Sequence, residues 1–196
     1  MRIAIADDEA FIRRYFQEIL PDMGHEVVSA AANGRELVEH CRDKKPDLII
    51  SDVRMPEMDG IDAALEISRE RPVPIVLVSA YHDPDLIERA ETSSVMAYLI
   101  KPIQRGDLEA AIAIARRRFE QMSSSEREVA TLRKTLEDRK FIERAKGILM
   151  KKANIPEDEA FRRMQRMSSD TNRKLADVAK LILAAEETQG LFEPGK

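Results

Sequence analysis

The chain has 196 residues, a net charge of −4, 35% charged side chains and one cysteine. That length fits one large domain or two small ones, and a single cysteine excludes a disulfide within the chain, leaving Cys41 as a small core residue. The charge is uneven: residues 1–115 carry 13 basic and 22 acidic side chains, which leaves 19 basic and 14 acidic in residues 116–196. An acidic front suits a cation and a basic back suits a polyanion, although solvated helix faces give the same balance. With no charged-then-apolar leader and no long apolar run, a cytoplasmic protein with no membrane association is expected.

In chain order, apolar runs predict strands at 2–6, 26–31, 47–51, 74–79 and 95–100. Amphipathic stretches predict helices near 9–20, 34–43, 60–70 and 84–92, then one from about 105. Five repeats of strand then helix predict an α/β fold, a doubly wound parallel sheet covered on both faces. The runs LII and IVLV read as fully buried strands. Pro21, Asn33-Gly34, Lys45-Pro46, Pro72 and Pro74 read as turns.

From 106 to 152 the pattern is helical, with SSS at 123–125 as either a break or polar helix surface. Met122, Val129, Leu132 and Leu136 fall at coiled-coil spacing, a candidate dimer seam or a plain helical spacer. Three tail helices follow. The first, 140–152, would bury Phe141, Ala145, Ile148 and Leu149. The second opens at Pro156, with Glu157, Asp158 and Glu159 suited to a helix N-terminus. Its buried side would hold Ala160, Phe161, Met164 and Met167. The third follows the capping-rich SSDTN and would bury Leu175, Val178, Ala179 and Ile182. Residues 189–196 read as a flexible tail.

The strand ends carry the chemistry. Asp7 and Asp8 follow the first strand, Asp52 the third, Ser79 the fourth and Lys101 the fifth. Open parallel sheets build their sites at that edge. Two carboxylates ~4 Å apart repel by about 4 kcal/mol at an effective dielectric of about 20. Three together call for a cation, with magnesium (or manganese) suited to carboxylate, water and phosphate oxygens. Lys101 offers a mobile positive head and Ser79 a hydroxyl donor. Singly, each residue could be a cap, a strand-end acid or a surface lysine. Their placement at consecutive strand ends sets the group apart.

DD at 7–8, DVRMPEMDG at 52–60, SA at 79–80 and KP at 101–102 resemble the receiver domain of two-component response regulators, over residues 1–118. The resemblance implies a flavodoxin-like sheet of order 2-1-3-4-5. It implies Asp52 as acceptor of a phosphoryl group from a sensor histidine kinase. Asp7, Asp8, Asp52 and the Arg54 backbone carbonyl would be the metal ligands. Ser79 and Lys101 would contact the phosphoryl group, Ser79 and Tyr98 would form the switch, and the Lys101-Pro102 bond would be cis. The chain would be an enzyme only in self-phosphorylating and slowly hydrolysing its aspartyl phosphate.

The back half lacks zinc-ligand spacing, a phosphate-binding glycine loop and a Ser/His/Asp set. Beyond residue 119 its aromatics are Phe141, Phe161 and Phe192, too few for base-stacking platforms. Any nucleic acid would meet basic helix faces. Lys140, Arg144, Gly147 and Lys151 share one face, and Arg162, Arg163 and Arg166 make a second cluster. Asn172, Arg173 and Lys174 form a third. Glycine inside a helix costs about 1 kcal/mol relative to alanine, so Gly147 would serve close approach by a helix or by a nucleic-acid backbone.

FIERAKGILM at 141–150 and EAFRRMQRMSSDTNRKLADVA at 159–179 resemble the ANTAR family of RNA-binding domains, over roughly 125–187. The implied organisation is a receiver at 1–118, a coiled-coil linker helix at 119–139, an RNA-binding domain at 140–188 and a tail at 189–196. The resemblance implies binding of tandem hairpins in nascent mRNA, antitermination of transcription and a homodimer formed on phosphorylation. It carries over Ala145, Lys146, Gly147, Ser169, Asn172 and Lys174 as RNA-face residues. Two other readings stay open: a DNA-binding regulator, and a protein-interaction or dimerisation module.

Overall fold

Five short runs rich in Ile, Val and Ala form β1 (Arg2–Ala6), β2 (Glu26–Ala31), β3 (Leu48–Asp52), β4 (Ile75–Ser79) and β5 (Val95–Ile100). They make one parallel sheet of order β2-β1-β3-β4-β5. The computed structural model describes residues 1–80 and 95–192. The helix expected at 84–92 lies outside the described residues. The six helices among them are α1 (Ala10–Asp22), α2 (Gly34–Lys44), α3 (Gly60–Glu70), α4 (Arg105–Ala153), α5 (Glu157–Thr171) and α6 (Leu175–Phe192).

Alternation along the strands builds a core on each face of the sheet. Ala4, Ile49, Ile75 and Leu77 point to one side and meet Leu37 and Val38 of α2 and Ile61, Ala64 and Ile67 of α3. Ile3, Ile5, Ile50, Val76 and Val78 point to the other and meet Phe16 and Leu20 of α1 and Leu108, Ile112 and Ala115 of α4. At about 25 cal/mol per Å² of apolar surface, such two-sided burial makes these strands the centre of the domain's stability.

Local chemistry explains the helix ends. Asn33 Oδ1 accepts the Glu36 N–H at 2.8 Å, and the Glu36 carboxylate reaches back to the Ala32 N–H at 2.8 Å. This reciprocal cap starts α2. Asp59 caps α3 through the Asp62 N–H at 2.7 Å. Pro21, expected to form a turn, lies instead in the last turn of α1. The reversal comes three residues later at Gly24, whose φ of +78° suits glycine. His25 N–H there bonds to Leu20 O and Gly24 N–H to Pro21 O, each at 2.9 Å. That double closure is a Schellman ending.

The chain divides into two compact units, Met1–Ser124 and Ser125–Lys196. The serines at 123–125 lie within α4, where Ser124 Oγ bonds back to Gln121 O at 2.8 Å. They are helix surface, not a break. Met122, expected in a dimer seam, packs with Phe119 against the sheet core of the first unit. Its heptad position is already used within the fold.

In the second unit, Ala145 of α4, Met164 of α5 and Ala179 and Leu183 of α6 form the buried centre. Phe141, Ile142, Ile148, Leu149, Leu175 and Ile182 pack around it. Phe161 and Met167, expected on the buried side of α5, are 36% and 43% exposed. The core stripe of α5 is narrow, carried by Ala160 and Met164 one turn apart. SSDT ends α5, and Asn172 closes it in the left-handed region at φ 50°. The helix continues in α6 to Phe192, through part of the expected tail.

A Cβ placed on Gly60 would lie 2.0 Å from Asp52 O and 2.9 Å from Ser51 Oγ. Gly60→Ala is therefore expected to destabilise the first unit by about 1–3 kcal/mol, the usual scale of overpacking. Urea denaturation followed by circular dichroism measures this, and an unchanged midpoint would show that the β3–α3 approach can relax.

Candidate functional site

The parallel order brings the ends of β1, β3, β4 and β5 to one edge, so the sequence-predicted front residues meet there. Asp52 is paired in register with Val78, and Ser79 with Ile100. Lys101 N–H donates to Ser79 O at 2.8 Å, tying the last two strand ends together. Gly34 N–H donates to Met58 O at 3.1 Å and Gly60 N–H to Val53 O at 2.8 Å. These bonds hold the MPEMDG loop against the acceptor strand.

Asp7, Asp8 and Asp52 each place a carboxylate oxygen within 4.8 Å of the others. Asp7 and Asp52 are buried and Asp8 is exposed. Lys101 Nζ lies 2.8 Å from Asp52 Oδ2, 3.0 Å from Asp7 Oδ2 and 3.4 Å from Glu9 Oε1. The contact with buried Asp7 Oδ2 is an ion pair without hydrogen-bond geometry. Burial raises the Asp7 carboxyl above its usual value, while Lys101 and the Glu9 N–H, 2.9 Å from Oδ1, oppose that. Burial works against the Lys101 charge as well, but the carboxylates of Asp52 and Asp7 outweigh it and raise its pKa.

Three hard oxygen donors at one open edge fit a divalent magnesium-type ion, which takes carboxylates, carbonyls and water together. The orphaned geometry of Asp7 Oδ2 fits the same ion. Arg54 is exposed two residues beyond Asp52 in the chain. Tyr98, on β5, is 41% exposed. The Lys101-Pro102 bond is cis. Sequence reasoning missed Glu9, which shares Lys101, and Arg13. Arg13 Nη1 donates to Asp7 O at 2.8 Å and to Asp8 O at 2.9 Å. A basic residue four positions after Glu9 reads as an ordinary pair along a helix, so the sequence carried no specific signal for these bonds.

In the second unit the basic residues separate by pairing. Lys140, Arg144, Lys151, Arg166, Arg173 and Lys174 are exposed and form no ion pair among the described residues. Ser169 and Asn172 are exposed beside them. Arg162 and Arg163 are paired along α5 with Asp158 and Glu159. Ala145 has no exposed surface and is a packing residue, not a contact. Lys146 is also buried, its Nζ 2.7 Å from both Glu143 Oε2 and Glu157 Oε1. Hydrogen bonds to Glu143 and Glu157 raise its pKa. It fastens the start of α5 to α4 and does not stand on the surface as expected. A Cβ on Gly147 meets no atom within 4 Å, so no helix of this unit needs the glycine. Of the seam residues, Val129, Leu132 and Leu136 are 47%, 56% and 60% exposed.

The raised Asp7 carboxyl couples stability to pH. A carboxyl raised in the folded state contributes stability below its unfolded pKa and loses it as pH climbs through its folded pKa. At neutral pH in chelator, Asp7→Asn is therefore expected to melt higher than the unsubstituted chain. That advantage shrinks as pH falls through the carboxylate range. Thermal melts at both pH values test it; a lower melting point for Asp7→Asn at neutral pH contradicts it.

The family model described as "Response regulator receiver domain" matches residues 3–113, and the one described as "ANTAR domain" matches residues 130–183. "Transcriptional regulatory protein PdtaR" of Mycobacterium tuberculosis is 46% identical over 93% of this chain and 89% of its own length. "Chemotaxis protein CheY" of Thermotoga maritima is 38% identical over 53% of this chain and 87% of its own. Among solved structures, the N-terminal domain of a response regulator/sensory box/GGDEF protein from Carboxydothermus hydrogenoformans is 28% identical. It has a TM-score of 0.57, covering 63% of this chain and 99% of that one. The strand-end acids, the sheet order and these matches agree: the chain belongs to the response regulators, as a member that joins a receiver domain to an ANTAR domain.

Proposed function

We propose that this response regulator accepts a phosphoryl group on Asp52 from a sensor histidine kinase and then binds tandem hairpins in nascent mRNA, preventing termination. The observation that carries the input is Asp52 Oδ2 at the sheet edge, 2.8 Å from Lys101 Nζ. The Asp52 carboxylate is the nucleophile, and Lys101 exchanges its bond to Asp52 for one to the arriving phosphoryl oxygens. Asp7, Asp8, Asp52 and the Arg54 carbonyl hold magnesium (or manganese), which supplies charge neutralisation for carboxylate and phosphoryl oxygens. Ser79 donates its hydroxyl to the phosphoryl group and Tyr98 turns inward with it. No other catalysis is assigned to the chain.

The output rests on cations of the second unit that form no ion pair among the described residues. Lys140, Arg144 and Lys151 line one side of α4, with Gly147 open between them. Arg166, Ser169, Asn172, Arg173 and Lys174 add the end of α5 and the following corner. ANTAR domains bind RNA, and the similar Mycobacterium tuberculosis protein is named a transcriptional regulator. Val129, Leu132 and Leu136 form the seam of a homodimer, which brings two RNA faces to two hairpins. A short seam gives a weak dimer, suited to control by phosphorylation.

Titration with a two-hairpin RNA and with duplex DNA, with and without acetyl phosphate and magnesium, tests the output. Tighter RNA binding on phosphorylation is expected, with log affinity falling by about 0.7–0.9 per phosphate contact for each tenfold rise in salt. Preferential duplex binding would overturn it in favour of a DNA regulator; binding of neither would favour a protein-interaction module. Asp52→Asn is expected to abolish acid-labile acyl-phosphate labelling, and persistent label would place the acceptor elsewhere. Arg144→Ala is expected to weaken RNA binding more than Arg162→Ala, since Arg162 is already paired with Asp158.

A further inference from the structure

Arg13 sits on the first turn of α1, one turn past the acidic pair. Its Nη1 donates to two backbone carbonyls at once, Asp7 O at 2.8 Å and Asp8 O at 2.9 Å. Those carbonyls belong to the two consecutive residues whose carboxylates lie within 4.8 Å of Asp52. Other ties also reach this turn, among them the ion pairs of Lys101 Nζ with Asp7 and Glu9. Asp7 N–H donates to Ala31 O at 3.2 Å, and Glu9 N–H to Asp7 Oδ1 at 2.9 Å. The α1 N-cap, Glu9, makes no side-chain capping bond. From the helix side, the Ile12 and Arg13 N–H groups reach only as far as Glu9 O, at 3.1 Å each, while the Arg13 guanidinium reaches the carbonyls of the acidic pair itself.

We propose that Arg13 is a positioning residue for the Asp7–Asp8 pair: by clasping both carbonyls it sets the turn at which the two carboxylates converge on Asp52. The proposal rests on reading Asp7, Asp8 and Asp52 as a magnesium site. Arg13 touches neither the ion nor the phosphoryl group. A guanidinium suits the task because its planar donors stay charged at any working pH and remain directional. Groups that orient metal ligands this way are typically worth about 10–100-fold in metal affinity.

The sign of the effect separates positioning from charge. A cation beside three acids repels magnesium, so a merely electrostatic Arg13 predicts tighter binding when it is neutralised. Positioning predicts weaker binding. Calorimetric titration of magnesium into the full chain, with phosphorylation by acetyl phosphate followed against magnesium concentration, reads both. For Arg13→Met, a magnesium dissociation constant raised about tenfold is expected. The phosphorylation rate at saturating magnesium should stay near that of the unsubstituted chain. Arg13→Lys keeps the charge and one donor head and is expected to recover part of the loss. It also serves alone if Arg13→Met does not fold. Unchanged or tighter magnesium binding in the variants overturns the proposal while leaving the site reading intact. Absence of magnesium binding by the unsubstituted chain overturns both.

Discussion

The meeting of three carboxylates and one ammonium at the sheet edge is the constraint around which the first unit is arranged. Asp7 and Asp52 are buried, and their charges are compensated by Lys101 at 3.0 and 2.8 Å. Buried like charges are costly unless a counter-ion is held in place, and a flexible lysine can follow the charge it neutralises. Lys101 follows β5, an edge strand, while the acids come from the ends of two interior strands, β1 and β3. The site therefore exists only when the whole sheet is assembled.

Much of the surrounding structure serves that convergence. Gly60 lets the start of α3 approach the Asp52 carbonyl, where any Cβ would collide. Gly34 does the same for α2 against Met58 O, which a Cβ would approach to 2.5 Å. The loop between β3 and α3 is thus clamped by two helix starts. Tyr15 Oη donates to Ile103 O at 3.2 Å, linking α1 to the turn that follows Lys101. These ties come from different elements and join segments that lead into or out of the charged cluster. Rigid placement of this kind lets small shifts in a phosphoryl group act on packed neighbours instead of being absorbed by slack.

The fold was legible because hydrophobic period and turn chemistry agreed at nearly every element. The strands are found within one residue of their expected bounds, since alternating buried runs leave little freedom of register. Asp7, Asp8, Asp52, Ser79 and Lys101 were legible because each sits at a strand end. Arg13 was not, because its bonds go to backbone carbonyls, which leave no trace in side-chain pattern. Phe161 and Met167 misled for a different reason. Apolar character suggested a broad buried stripe on α5, but a helix packed into a small three-helix unit buries only the residues facing Ala145 and Ala179. Met122 fell at the heptad spacing of the seam, yet spacing does not say whether a partner helix or the sheet covers a residue.

The same distinction governs the basic half of the chain. A count of charges treats Lys146, Arg162 and Lys140 alike, but a cation already held by carboxylates must lose those partners before it can meet a phosphate. Lys146 has two at 2.7 Å and little exposed surface, so its charge is used in fastening α5 to α4. Arg162 and Arg163 spend theirs along α5, and Lys180 lies 3.8 Å from Asp138 and over the Phe141 ring. Among the described residues, Lys140, Arg144 and Lys151 on α4 and Arg166, Arg173 and Lys174 beyond it are exposed without an ion pair, as are Arg127, Arg133, Lys134 and Arg139 earlier on α4. Counterion release counts phosphate contacts actually made, not lysines and arginines present. The internal ion pairs thus withdraw Lys146, Arg162, Arg163 and Lys180 from the basic surface, and Gly147 leaves α4 open to the close approach of a backbone.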